Sequence, residues 1–76
     1  SSDVSIVDSK TKLQEYSLKK FKSLPIYKLV SSSGPKHEPK FTISVKLKNT
    51  KFFEGSGNSK KKAEQSAAKI LLDSLI

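Results

Sequence analysis

Residues 40–48 read Lys-Phe-Thr-Ile-Ser-Val-Lys-Leu-Lys, and apolar and polar side chains alternate along this stretch. The apolar set is Phe41, Ile43, Val45 and Leu47, and the polar set is Thr42, Ser44, Lys46 and Lys48. A period of two places successive side chains on opposite faces of a β-strand. The stretch therefore predicts a strand of an antiparallel sheet that has one buried face and one wet face.

A second strand is predicted before this one. Residues 26–32 place Tyr27 and Leu29 on one face, alternating with polar and apolar neighbours on the other. The following segment, residues 33–39, reads Ser-Gly-Pro-Lys-His-Glu-Pro and is rich in glycine and proline. Such a composition is typical of a turn between two strands.

A third strand is predicted after the central one. Asn49 and Thr50 form a short turn, and residues 51–54 then begin a strand that carries Phe52 and Phe53. Because neighbouring strand residues face opposite sides, we expect one ring to be buried and the other to be partly exposed. The pattern does not say which ring is buried.

The first helix is predicted to begin at Lys10, with Ser9 or Thr11 as its cap. Its apolar face follows spacings of three and four, which indicate an amphipathic helix of about 12 residues. That face contains Leu13, Tyr16, Lys20 and Leu24, with Phe21 beside them. Pro25 disfavours helical geometry at the preceding residue, so the helix should end near there. Residues 1–9 show no helical period and are predicted to be a linker or chain end, with the domain over residues 10–76.

The second helix is predicted over residues 59–75. Its buried stripe comprises Ala63, Ala67, Ile70, Leu71 and Ser74, broadened by Ala68, Leu72 and Leu75. The element order is therefore α-β-β-β-α, with two helices packed on one face of a three-stranded antiparallel sheet. This is an α+β fold.

The start of this helix is unusual, because residues 55–63 read Gly-Ser-Gly-Asn-Ser-Lys-Lys-Lys-Ala. Ser59 is a favourable N-cap, and the three lysines occupy the first turn, where the helix dipole already supplies positive charge. Two interpretations stand: a solvated helix start whose lysines add solubility, or a site at which backbone N–H and ammonium groups bind phosphate. Gly55 and Gly57 could adopt positive φ and allow the backbone to approach a partner closely.

Charge favours a polyanionic partner. The chain has 76 residues, a net charge of +8 and a pI near 9.8, and all 15 of its basic residues are lysine. Lysine meets phosphate as a flexible point charge, whereas bidentate reading of guanine usually falls to arginine. The surface should therefore follow a nucleic-acid backbone better than it reads base sequence.

Composition argues against several other functions. No apolar run approaches the roughly 20 residues of a membrane span, and no secretory signal precedes the domain, so a cytoplasmic protein without a membrane partner is expected. Cysteine is absent, His37 is the only histidine, and the acidic residues are scattered, which leaves no evident metal or two-metal hydrolytic site. We expect no catalytic residue, metal or cofactor in this chain.

Several motifs in this order resemble the double-stranded RNA-binding domain. They are Leu13-Gln14-Glu15, Tyr27, Gly34-Pro35 with His37, Phe41, Gly55-x-Gly57-x-Ser59-Lys60-Lys61-x-Ala63 and Ala67-Ala68. Within that family, residues 10–16 and 63–68 are most similar to the C-terminal domain of bacterial ribonuclease III. The resemblance covers residues 10–75.

The resemblance implies three contact segments on one duplex. Gln14 and Glu15 would enter one minor groove, and the loop of Gly34, Pro35, Lys36 and His37 would enter the next. Phosphates across the intervening major groove would be bound by Ser59, Lys60, Lys61 and Lys62. The family reads duplex RNA by shape over about 16 base pairs in this way.

The resemblance also implies a parent protein and two departures. The parent would be a magnesium-dependent, homodimeric endonuclease that processes ribosomal and other RNA, while the isolated domain would be a monomeric binding module. Glu64 stands where many members carry a lysine, which removes one phosphate contact, although ribonuclease III relatives often have an acid there. Leu18 stands where relatives often carry a polar residue that can reach the groove. The alternatives are a protein-interaction module of the same fold, or the RNA-binding domain of another duplex-RNA protein.

Overall fold

A computed structural model describes the backbone of residues 2–75 and the side chains of residues 9–75. The elements follow the order α1, β1, β2, β3 and α2, which confirms the predicted α+β arrangement. Their bounds are α1 Ser2–Phe21, β1 Ile26–Ser33, β2 Lys40–Lys46, β3 Phe53–Gly57 and α2 Lys60–Ser74. No helix within residues 2–75 is both long enough and apolar enough to cross a bilayer.

The three strands form one antiparallel sheet in the order β1-β2-β3, so β2 lies in the centre. One cross-strand row runs through Ser32, Phe41 and Gly57, at the end of the sheet where β1 finishes and β2 begins. The opposite end carries the β2–β3 turn, in which the Thr50 hydroxyl oxygen accepts the Leu47 N–H at 2.8 Å. The sheet therefore has two distinct ends, and each connects a different pair of strands.

The core forms where both helices meet the buried face of β2. Its fully buried members are Leu13, Val45, Leu47, Ala67, Ala68 and Leu71. Phe53 packs against this cluster, whereas Phe52 is 47% exposed, which decides the question that the sequence left open. The alternation over residues 40–48 is confirmed on its apolar side. On the other face, predicted to be wet, Ser44 is nevertheless only 4% exposed.

Two glycines of β3 allow α2 to lie close to the sheet. A Cβ atom built on Gly55 would stand 2.2 Å from the Ala67 nitrogen, and one on Gly57 would stand 2.8 Å from the Ala63 nitrogen. Neither glycine has positive φ. The expectation that they adopt positive φ is therefore wrong: both lie in β3, and the element that approaches their backbone closely is α2.

The first helix differs from the prediction at both ends. It begins at Ser2 rather than Lys10, so the helix-free reading of residues 2–9 and the proposed caps at Ser9 and Thr11 are wrong. Those residues contain no proline or glycine, and extending an existing helix costs little. The helix ends at Phe21, before Leu24, because Lys22 adopts a left-handed conformation with φ of 57°.

Some predicted core positions are exposed. Leu24 is 58% exposed, Leu29 47% and Ile70 44%, and Lys20, Ser74 and Leu75 are exposed as well. Leu29 is exposed because it lies on the edge strand β1, beside a shift of register between Leu29 and Ser31 in the pairing with β2. The second helix, α2, packs on β2 and β3. Three polar residues of the helices, Ser9, Ser17 and Gln65, are buried instead.

Replacing Gly55 by alanine should destabilise the protein. The added methyl group would overlap the α2 backbone at Ala67, which cannot move aside as a flexible side chain could. We expect the free energy of unfolding in urea to fall by about 1–3 kcal/mol or more, the usual range for overpacking. The matched control is Ser56→Ala on the exposed side of the same strand. Equal stability of the Gly55→Ala and control proteins would contradict the packing described.

Candidate nucleic-acid interface

The amino end of α2 presents unpaired backbone donors. Ser59 adopts an extended conformation as N-cap, its hydroxyl oxygen accepts the Lys62 N–H at 3.2 Å, and its carbonyl accepts the Ala63 N–H at 2.9 Å. The N–H groups of Lys60 and Lys61 have no acceptor among residues 9–75. Two donors therefore point outward from the first turn, as the predicted cap requires.

Lysine ammonium groups surround those donors. Lys60, Lys61 and Lys62 are exposed, and none forms an ion pair with a side chain in the part of the protein described. The first turn of α2 contains no acidic residue that could offset their charge. Because the helix dipole has the same sign here, the side chains of residues 9–75 leave this positive charge uncompensated. The arrangement is suited to an external anion with several oxygens.

The β1–β2 loop has a defined shape. Gly34 has φ of +89°, and a Cβ atom there would stand 2.6 Å from the Glu38 carbonyl oxygen. The Glu38 N–H donates to the Pro35 carbonyl at 3.0 Å and closes the turn. A carbonyl has two lone pairs, so that of Pro35 can still accept a ligand hydroxyl. Lys36 and His37 are exposed at the tip.

Strand register brings this loop and the amino end of α2 to the same end of the sheet. The loop follows β1 and precedes β2, while α2 starts three residues after Gly57. Ser32 pairs with Phe41, and Phe41 pairs with Gly57. Two strand spacings separate the outer members of that row, which is about 10 Å. The loop and the lysines can therefore face a common ligand.

Gln14 and Glu15 lie on α1, outside the sheet. Both side chains are exposed and form no hydrogen bond within residues 9–75. Leu13 and Ser17 mark the buried side of the helix, so at 100° per residue Glu15 points away from the core and Gln14 lies on its flank. Their exposure fits the predicted groove contact. What positions them relative to the loop and lysines is the packing of α1 on α2.

Three contacts of Lys10 join α1 to the other elements. Its ammonium group donates to the Glu64 carboxylate at 2.7 Å, and its backbone N–H donates to the Gln65 side-chain oxygen at 2.9 Å. The ammonium nitrogen also lies 5.2 Å from the centre of the Tyr27 ring in β1. Lys10 and Gln65 are not among the site residues that the sequence predicts, because no local pattern relates residues that are 54 and 55 positions apart.

Tyr27 is a half-buried neighbour of Lys10 and Glu64. Its hydroxyl oxygen is buried and has no hydrogen-bond partner among the described residues. Burial, and to a smaller degree the nearby Glu64 carboxylate, raise the pKa of the Tyr27 phenol to about 12. Both causes disfavour the phenolate, so the folded protein holds this proton more tightly than the unfolded chain does.

Alkaline pH should therefore destabilise the protein through Tyr27. Between pH 10 and 12 the unfolded tyrosine ionises while the folded one stays protonated, so stability is lost as the pH rises through that window. Unfolding free energies of the unmodified protein and of Tyr27→Phe should be compared at pH 8 and at pH 11. At pH 8 the variant should be about as stable, because it loses no hydrogen bond. At pH 11 the variant should be the more stable, and an unchanged difference between the two pH values would contradict the account.

No metal-binding cluster accompanies this surface. Within the described side chains, no three His, Asp or Glu residues come together. His37 lies in the loop and is exposed, where it can serve as a hydrogen-bonding group. The described part of this surface offers positive charge and hydrogen-bond donors.

Comparisons with known sequences identify relatives along most of the chain. Ribonuclease 3 of Pelagibacter ubique (strain HTCC1062) is 64% identical over 69 residues, which are 91% of this chain and 31% of that protein. Ribonuclease 3 of Leptospira interrogans serogroup Icterohaemorrhagiae serovar copenhageni (strain Fiocruz L1-130) is 54% identical over 67 residues, which are 88% of this chain and 27% of that protein. The chain thus spans under a third of the length of either relative.

Solved structures share the fold. The solution structure of both dsRBDs of DRB4 with their linker matches with a TM-score of 0.66 and 42% identity, over 87% of this chain and 42% of that one. The first dsRBD of HYL1 matches with a TM-score of 0.65 and 38% identity, over 87% of this chain and 93% of that one. The family model described as the double-stranded RNA binding motif matches residues 9–75. The family model covers nearly the whole chain, and solved dsRBD structures share its fold, so this chain belongs to the double-stranded RNA binding motif family.

Proposed function

We propose that this chain binds double-stranded RNA by shape, as the RNA-binding domain of a ribonuclease III. The observation that carries the proposal is the common position of two contact segments. The Gly34–His37 loop and the cationic start of α2 lie at one end of the sheet. The relatives named ribonuclease 3 support the assignment of the parent.

Each segment has a distinct role in the proposed complex. Lys60, Lys61 and Lys62, with the free N–H groups of the first turn, bind phosphates across the major groove. The loop inserts His37 and the Pro35 carbonyl into one minor groove, where ribose 2′-hydroxyls can donate or accept hydrogen bonds. Gln14 and Glu15 make equivalent contacts in the other minor groove. Only an A-form duplex presents two minor grooves and a phosphate row at this spacing.

The parent protein is proposed to be a double-strand-specific endoribonuclease. It would act in the cytoplasm on ribosomal and other RNA, as a homodimer joined through a nuclease domain that uses magnesium. The side chains described here do not form a site for that ion, so the nuclease domain would have to hold it. In this proposal the 76-residue chain binds RNA as a monomer without cutting it.

A competition titration tests the proposed function. Labelled duplex RNA of about 16 base pairs, bound by the chain, is displaced by unlabelled duplex RNA, RNA–DNA hybrid or duplex DNA of the same length and sequence. We expect duplex RNA to compete most strongly and duplex DNA least, because DNA lacks both the 2′-hydroxyls and the A-form grooves. Equal competition by RNA and DNA would refute shape reading. If that result came with concentration-dependent self-association in gel filtration, the protein-interaction alternative would be favoured.

Removing a lysine from the start of α2 should weaken binding to all duplex RNA sequences alike. Lys60→Ala and Lys61→Ala each remove one phosphate contact, so the slope of log affinity against log salt should fall by about one unit. Lys48→Ala is the matched control, since it removes the same charge from the turn at the opposite end of the sheet. An effect of Lys48→Ala as large as that of Lys60→Ala would show that net charge, rather than this surface, determines affinity.

A further inference from the structure

The Lys10–Glu64 pair is partly buried and lies beside two further contacts of Lys10. The two side chains are 39% and 25% exposed, and their atoms approach to 2.7 Å. The Tyr27 ring lies beneath the Lys10 ammonium group. The side-chain oxygen of buried Gln65 accepts a hydrogen bond from the backbone N–H of Lys10. Glu64 and Gln65 on α2 thus bind one residue of α1 through both its side chain and its backbone.

This link lies one helical turn from two of the proposed contact segments. Lys10 precedes Gln14 by four residues on α1, and Glu64 follows Lys60 by four residues on α2. Four residues advance about 6 Å along a helix and return to nearly the same face. A change in how the helices meet here would therefore alter the separation between Gln14 and the lysines.

Glu64 could form an ion pair with Lys60 on its own helix, but it does not. Lys60 stands four residues earlier on the same helix, a spacing at which opposite charges commonly pair. In the structure the carboxylate binds Lys10 instead, and Lys60 forms no ion pair with the described side chains. The bond to Lys10 keeps the acidic group away from the lysines that would meet phosphate.

We infer that Glu64 is a positioning residue for RNA recognition: through Lys10 it sets the placement of Gln14 and Glu15 relative to the phosphate-binding lysines. This inference rests on the proposed function. It reverses the expectation drawn from the family pattern, in which an acid at this position merely removes a phosphate contact. Loss of the carboxylate should reduce shape discrimination although it makes the protein more basic.

The first experiment compares Glu64→Gln with Glu54→Gln. Glu54 is an exposed carboxylate of β3, and each substitution raises the net charge from +8 to +9. The measured quantity is the ratio of affinities for duplex RNA and duplex DNA, in which the general charge effect largely cancels. We expect Glu64→Gln to lower that ratio about fivefold, the upper range for one partly exposed ion pair. Glu54→Gln should leave it unchanged, and thermal melting of both variants should verify that they are folded.

A double-mutant cycle separates positioning from a direct or purely structural role. Glu64→Gln is introduced into the unmodified chain and into a Gln14→Ala/Glu15→Ala background, and both pairs are titrated with duplex RNA and duplex DNA. If Glu64 acts through α1, the fivefold loss in the ratio should disappear in the background that lacks the α1 contacts. A loss of melting temperature alone would not produce that dependence.

The outcomes are distinct. A reduced ratio for Glu64→Gln that vanishes in the Gln14→Ala/Glu15→Ala background supports the inference. An unchanged or increased ratio for Glu64→Gln overturns it and restores the missing-contact interpretation, and an equal loss in both backgrounds overturns it as well. Failure of the unmodified chain to prefer duplex RNA over duplex DNA would refute the proposed function itself, and the inference with it.

Discussion

The close approach of α2 to β3 determines where the charged end of that helix lies. Gly55 and Gly57 provide no side chain on the strand, and Ala63 and Ala67 provide only methyl groups on the helix, so the two backbones come nearly into contact. The same contact buries Ala63 and Ala67 in the first half of α2. It also leaves the first turn of α2 beside the cross-strand row of Ser32, Phe41 and Gly57. The contact that packs α2 on the sheet thus also determines where the lysines of its first turn lie.

Three lysines at a helix amino end are unfavourable for the isolated protein, because the dipole and the ammonium groups repel. None of the three lysines forms an ion pair with a carboxylate among the described side chains. The nearest acidic residue on the helix, Glu64, is bound to Lys10. An external phosphate would relieve this repulsion and accept the two free N–H groups. Relief of this repulsion would favour the binding of a polyanion. The Lys10–Glu64 bond connects that end of the molecule to α1.

Local chemistry was sufficient to predict the type and order of the elements, but not all of their bounds or their contacts. The buried apolar side of β2 and the cap at Ser59 depend only on neighbours, and both predictions hold. The wet side does not hold at Ser44, which is buried, and the strand ends at Lys46 rather than Lys48. Whether Gly55 faces a ligand or a helix depends on how α2 docks, which no local pattern specifies. The exposure of Leu29 follows from its place on an edge strand beside a register shift. The roles proposed for Gln14, Glu15, the loop and the lysines stay predictions, since the free protein shows their exposure and not their ligand.

The most direct test of the central claim is an NMR titration of the isotope-labelled chain with duplex RNA of about 16 base pairs. The account predicts that amide signals shift in three segments only: around Gln14 and Glu15, in the loop of residues 34–38, and at residues 59–62. The turn of residues 48–51, at the far end of the sheet, should be unaffected. Shifts concentrated in that turn, or on the outer face of the sheet around Lys28 and Glu54, would contradict the account.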